Sequence, residues 1–186
     1  MARTTSALRA IAWVALLGIA GIARLEGLSQ EVPRVRTEDT ELSRLIEVAR
    51  ARSSTFRQLL HAIEATNGVV YVIRGKCGHR VRACLVLWMG VTDQHRFLRV
   101  VVEDANPEVE AMASIGHELK HALEVLSDPK VVSGHGMLAL YKRNGAIQSE
   151  TFETEEAIAT GNAVFNELRK SGCRVEHCPD GPAALN

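Results

Sequence analysis

The chain has 186 residues, 46% of them hydrophobic and 24% charged, with 22 basic and 22 acidic side chains and a formal net charge of zero. That is room for one ordinary domain with its own hydrophobic core. The balanced charge supplies no polyanion-binding patch and 4% aromatic residues are too few for a base-stacking platform, so no nucleic-acid partner is expected.

Arg3 and Arg9 precede Ala10–Ala23, an uncharged apolar run of 14 residues, and Gly21-Ile22-Ala23 places small residues where a cleavage site needs them. This pattern predicts a signal peptide over residues 1–23 and a secreted or periplasmic mature protein. The run is shorter than the about 20 residues that span a bilayer, and an uncleaved N-terminal anchor is the alternative. No other membrane contact is expected. Residues 24–38 are polar, contain Pro33, and read as a linker or arm before a single domain over 39–186.

Apolar residues then recur at helical spacing from Thr40 to about Thr66 (Leu42, Leu45, Ile46, Val48, Phe56, Leu59, Leu60, Ile63), as one long helix or two, ended by Asn67-Gly68. Val69–Ile73, Cys84–Trp88 and Phe97–Val102 read as three strands of a small, mainly antiparallel sheet. Asn106 is placed to cap a helix that has Pro107 at its first position and runs to about Leu126. Residues 130–148 read as a Gly-containing loop around the apolar piece Met137–Tyr141. A last helix is predicted from about Ser149 to Lys170. The order helix, three strands, helix, loop, helix defines an α+β domain.

Four cysteines in an exported chain favour disulfides. The simplest pairing is local, Cys77 with Cys84 across what looks like a hairpin turn, and Cys173 with Cys178. The competing reading is a zinc knuckle drawing on Cys77, His79, Cys84, Cys173, His177 or Cys178, but the spacings fit structural zinc motifs poorly.

The chemistry-bearing motif is His117-Glu118-Leu119-Lys120-His121. Positions i and i+4 lie one turn apart on a helix, so both imidazoles can point at one zinc ion, with Glu118 beside a water in its open position. Zinc lowers the pKa of that water to about 7 and Glu118 takes its proton, which is the chemistry of a zinc-activated hydrolysis. Val109, Met112, Gly116, Leu119, Leu123 and Leu126 form the apolar stripe of this helix. The two histidines lie opposite, with Ser114, Glu124 and Asp128, on a face that is either solvated or the wall of a cleft.

A catalytic zinc site needs a third protein ligand. Glu124 shares the helix but lies two turns from His117, so supporting a ligand suits it better than being one. The acidic segment Glu150, Glu153, Glu155, Glu156 supplies the candidates. Its helix buries Ala157, Ile158, Gly161, Val164, Phe165 and Leu168; at about 100° per residue Glu150 falls near the centre of that stripe and Glu153 at its edge, while Glu155 and Glu156 face solvent. Glu153 is therefore the first choice and Glu150 the second. The bland alternative is an acidic helix start favoured by the dipole alone.

Gly116-His-Glu-Leu-Lys-His121-Ala122 followed by a Glu-bearing helix resembles the gluzincin branch of the zincin-like zinc metallopeptidases, and Phe152-Glu-Thr-Glu-Glu-Ala157 resembles the Glu segment of small secreted bacterial proteins of that kind. The resemblance is specific over residues 112–126 and topological over about 40–170. The metzincin extension is absent, because Glu124 and Ser127 stand where it has Gly and His. The resemblance implies a zincin-like fold with zinc as cofactor, His117, His121 and Glu153 as ligands, Glu118 as general base, and a peptide or protein substrate. Gluzincin ligand glutamates often have Ala three residues later; Glu156 with Ala159 meets this and Glu153 with Ala157 does not, so Glu156 stays open as a ligand. The resemblance further implies strand addition of substrate along Phe97–Val102, and oxyanion stabilisation from Tyr141 or His135. His61, His79, His95 and His177 carry no spacing signal. Two other readings remain: a zinc-binding domain of the same fold without proteolysis, used to bind proteins, and an exported disulfide-bonded domain with a chance motif.

Overall fold

A computed structural model describes residues 32–78, 81–104, 106–144, 147–148 and 151–179. The signal peptide or anchor, His79 and Glu150 lie outside the described residues. The elements are β1 (Val35–Arg36), α1 (Thr40–Arg52), α2 (Ser54–Glu64), β2 (Gly68–Arg74), β3 (Ala83–Leu85), β4 (Gly90–Val91), β5 (Arg96–Val102), α3 (Glu108–Ser127), α4 (Gly134–Arg143), β6 (Ile147–Gln148), β7 (Thr151–Phe152) and α5 (Glu155–Lys170). The architecture is α+β, with five helices among the described residues. Part of the expected arm is therefore sheet, because β1 pairs with β2.

The sheet is mixed rather than mainly antiparallel. Its order is β1-β2-β5-β3, with β4 also on β5. β1 and β2 are parallel, β2 and β5 are parallel over their full length, and β3 and β4 run antiparallel to β5. The segment between Cys77 and Cys84 is accordingly no hairpin, since β5 lies between β2 and β3. The register explains the choice: it aligns Val70 with Leu98 and Val72 with Val100, four side chains that are all buried. β6 and β7 form a separate two-stranded hairpin.

α3 packs on β2, β3 and β5, and α5 packs along α3. Leu42, Phe56, Ile63, Leu98, Met112, Ile115, Leu119, Met137 and Leu168 are fully buried at their junction. α3 and α5 approach closely because Gly116 lies against Val164: a Cβ at Gly116 would stand 3.0 Å from Val164 Cγ2. The expected α3 stripe is buried apart from Leu123, which is half-buried, but Ala113, Ile115, Ala122 and Val125 are buried too. This helix runs through the interior rather than over it.

Capping sets several boundaries. Thr40 to Glu64 is two helices, because Ser53 leaves helical backbone (φ −116°, ψ 119°) and its hydroxyl accepts from Phe56 N–H. Pro107, not Asn106, precedes the first turn of α3; the Asn106 amide instead donates to Arg82 O and Glu103 O. The segment read as a loop contains α4, opened by Ser133, whose hydroxyl accepts from Gly136 N–H. α5 begins at Glu155, with the Thr154 hydroxyl accepting from Ala157 N–H.

All four cysteines are paired, Cys77 with Cys84 and Cys173 with Cys178. Two disulfides point to an oxidising, extracytoplasmic compartment. Among the described residues no helix is long and apolar enough to cross a membrane. The 173–178 loop docks on the start of α3, where Val109 N–H donates to Val175 O and Cys178 N–H to Glu108 Oε2. Closing so short a loop stabilises the fold by about 2 kcal/mol in the chain-entropy account.

Glu167 on α5 gathers the start of α2: the Ser53, Ser54 and Thr55 hydroxyls and Thr55 N–H all donate to its carboxylate. Partial burial opposes the charge, but these bonds outweigh it and hold the pKa at about 2, against 4.5 for a free side chain. A depressed folded pKa contributes stability above the unfolded value that is lost on acidification. Between about pH 4.5 and 2 the wild type is therefore expected to lose roughly 1 kcal/mol that Glu167→Gln does not lose, after allowance for solvent screening. Thermal melts of both proteins across that range check this, and parallel curves would refute it.

Candidate metal centre

His117 and His121 project from the middle of α3 toward the start of α5. His121 is buried and His117 half-buried, so this face of the helix is the wall of a cleft and not solvent. Their rings stand 4.8 Å apart, nearly perpendicular. The bare backbone of Gly161 on α5 admits His117: a Cβ there would lie 3.2 Å from His117 Cβ.

Glu153 completes the group. One ligand atom from each of His117, His121 and Glu153 lies within 4.8 Å of the others, and the three could hold a metal ion. Glu153 does not sit on α5, the helix around which the spacing of about 100° per residue had placed it. It lies between β7 and the cap residue Thr154, half-buried and turned toward His117. Glu155 and Glu156 are exposed, and Glu156 pairs with Lys120. Ile158, expected in the buried stripe, is 46% exposed and lines the cleft.

The donor set fits a cation. His121 Nε2 and Glu153 Oε2 are buried and have no hydrogen-bond partner. His117 Nε2 approaches Glu153 Oε2 to 3.2 Å, near enough for ionic attraction but without a valid hydrogen-bond geometry. Each unpartnered buried polar atom costs roughly 1–3 kcal/mol, which a shared cation would offset. The other imidazole nitrogen of His121, Nδ1, stands 3.1 Å from Glu124 Oε2, an arrangement that leaves Nε2 free to ligate.

The charges are mutually adjusted. Burial pushes the His117 pKa down, but the Glu153 contact and the nearby Glu118 charge outweigh it and leave it raised. The close approach of His117 lowers the pKa of Glu153 against a smaller effect of burial. Burial raises the Glu118 pKa, offset only in part by the two histidines and by Leu85 N–H. That amide donates to Glu118 Oε2 at 2.7 Å, and Glu118 Oε1 lies 3.9 Å from His117 Nε2.

Two hollows flank the group and share Val81, Ala83, Glu118 and Glu153. One, of about 630 Å³, is lined further by Arg82, Glu110, Ser114, Asn162 and Phe165. The other, of about 420 Å³, is more apolar, with Leu87, Val101, Tyr141, Phe152 and the Cys77–Cys84 bridge. β3 is the edge strand beside both. β5, which the resemblance offered for substrate pairing, has neighbours on both sides and no free edge. Tyr141 is buried, and its hydroxyl donates to His121 O at 3.2 Å while its ring stacks on Phe152. Burial raises its pKa, so the phenol keeps its proton. His135 is exposed and lines neither hollow. His61 and His177 stand beside Glu64 and Glu108 at the surface.

Sequence reasoning missed three contributors: Leu85, Gly161 and Thr154. Only Thr154 left a signal, as a capping residue before the acidic pair Glu155-Glu156.

Fold and site together define an α+β, disulfide-bonded domain with a His-His-Glu group able to hold a metal ion. Compared with known proteins, the chain matches no family model, no curated protein and no solved structure.

Proposed function

We propose that this chain is an exported zinc-dependent metallopeptidase of the gluzincin type. The observation that carries the reading is the convergence of His117, His121 and Glu153, with Nε2 of His121 and Oε2 of Glu153 buried and without a hydrogen-bond partner. Two imidazoles and one carboxylate are a donor set of catalytic zinc sites, with the fourth position left for water or substrate. Bound zinc supplies Lewis-acid activation of water and of the scissile carbonyl. Glu118 accepts the proton from the attacking water and delivers it to the leaving amine. Burial raises its pKa above that of a free carboxyl, the direction that favours a group which first takes and then gives up a proton. An extended peptide pairs with the free edge of β3, which brings its backbone past Glu118, with side chains directed into the two flanking hollows.

Glu118→Gln tests the catalytic role. It is expected to retain zinc and to lose hydrolysis of a mixed quenched-fluorescent peptide set by roughly 10²–10⁴-fold, the usual contribution of a general base. Undiminished hydrolysis would remove Glu118 from the mechanism. The second reading is a zinc-binding domain used for protein binding without hydrolysis. It is favoured by the bond from Leu85 N–H, which occupies Oε2 of Glu118. A wild-type protein that binds zinc and cleaves no peptide in that set would establish it over the first.

A further inference from the structure

Thr154 occupies a position that the metal-site reading does not by itself explain. Its side-chain oxygen accepts from Ala157 N–H at 3.1 Å, capping α5. Its one hydroxyl hydrogen goes elsewhere, to Glu124 Oε1 on α3 at 2.7 Å. The second oxygen of Glu124 stands 3.1 Å from His121 Nδ1. A carboxylate only accepts hydrogen bonds, so Nδ1 must be the protonated nitrogen of that imidazole. That leaves Nε2, the buried nitrogen that has no hydrogen-bond partner, as the one turned toward Glu153 and His117 for a cation to meet. Thr154 is also the residue directly after Glu153, and its extended backbone (φ −113°, ψ 147°) sets where the chain turns into α5.

We infer that Thr154 is a positioning residue that locks both halves of the metal site: His121 through Glu124, and Glu153 through the capped start of α5. The inference rests on the His117-His121-Glu153 group being a metal site. A helix cap alone would need no link to α3. The cap of α4 illustrates the plain case, where the Ser133 hydroxyl accepts from Gly136 N–H and no bond from it reaches the site. In Thr154 the acceptor side of the oxygen builds the helix and the donor side orients the ligand. One side chain thus couples elements 30 residues apart in sequence.

The test is the zinc affinity of the full chain, measured by competition with a chromophoric chelator, with a thermal melt of each protein. Thr154→Val keeps the shape and removes the hydroxyl; it is expected to weaken zinc binding by about tenfold, the low end for loss of a group that supports a metal ligand. Thr154→Ser restores both bonds and is expected to bind within about twofold of wild type. Ser133→Ala, which loses only a cap, is expected to melt earlier with unchanged zinc affinity. In a Glu124→Ala background, Thr154→Val should lose the part of its effect that runs through His121 and keep the part that runs through the α5 cap and Glu153; an undiminished effect there overturns the Glu124 link. A wild type that binds zinc with Thr154→Val binding equally well overturns the inference and leaves the metal site standing. A Thr154→Ser protein as weak as Thr154→Val also overturns it. A wild type that takes up no zinc overturns the metal reading and the inference with it.

Discussion

His121→Ala is expected to leave the protein without retained zinc. Structural zinc sites with four ligands bind with roughly 10–16 kcal/mol, so one ligand accounts for about 2.5–4 kcal/mol, a loss of roughly 70-fold or more in affinity. His121 is only 3% exposed and its Nδ1 faces Glu124, so Nε2 is the donor that the buried site takes from it and that alanine removes. Glu153→Ala should fall by a similar factor, because Glu153 is the only acidic residue in the ligand group. Glu156→Ala should bind like wild type, since Glu156 is exposed and engaged with Lys120. Zinc content after dialysis against a chelator reads all three. A second readout is thermal: zinc at 100 times its Kd should stabilise the wild type by about 2.7 kcal/mol and His121→Ala by much less. Zinc kept by Glu153→Ala and lost by Glu156→Ala would show that the other carboxylate is the ligand.

The largest stability loss away from the metal group is expected at Arg96. This side chain is 4% exposed and stands at the start of β5, beneath the C-terminal end of α3. Its guanidinium donates to Asn67 Oδ1 at 2.8 Å, Leu126 O at 2.6 Å, Asp128 O at 2.8 Å and Val131 O at 3.1 Å, with a longer bond to Val125 O. The last carbonyls of a helix have no intrahelical donor, and the negative end of its dipole favours a cation. Arg96 meets both needs and ties the sheet to the helix that carries the histidines. Arg96→Met should therefore cost about 3–5 kcal/mol, as for other buried charged groups removed from their partners. Arg96→Lys should recover less than half of that, because one ammonium cannot reach acceptors spread around a planar fork. Urea unfolding of the three proteins gives the numbers. An unchanged midpoint for Arg96→Met would refute the assignment. A domain of this size has about 5–15 kcal/mol in total, so such a loss is visible at once.

Arg96 also shows where sequence reading stops. Beside Phe97–Val102 it looks like the polar end of a strand. Its partners lie 29 to 35 residues away, and no local pattern announces them. Glu153 teaches a related lesson. The spacing of about 100° per residue selected it as a residue of the last helix, but that helix starts at Glu155, after β6 and β7. Its approach to His117 comes from the β7–α5 junction and not from an angle around a helix axis. The loop assigned to 130–148 failed for a different reason. Gly134 and Gly136 read as breakers, yet Gly134 opens α4, where a Cβ would stand 2.3 Å from the backbone oxygen of Leu87. Glycine is needed there for close approach and not to end a helix.

The sequence by itself determined what depends on neighbours along the chain. It placed His117, Glu118 and His121 on one helix with the histidines on a common face, because α-helical periodicity is local. It offered local cysteine pairing as the simplest of three connectivities, and the structure has that pairing, in which a short loop closes at little entropic cost. It marked the α+β alternation through the change in apolar period. The tertiary structure alone decided the rest. That the histidine face is a cleft wall follows from α5 crossing at Gly116 and Gly161. That β5 is central and β3 the free edge follows from burying Val70, Val72, Leu98 and Val100 together. That Glu153 joins the histidines, and Thr154 reaches Glu124, follows from α3 and α5 packing along one another. These are contacts between segments some thirty or more residues apart, and shape complementarity in the packed core selects them, which no periodicity within one segment encodes.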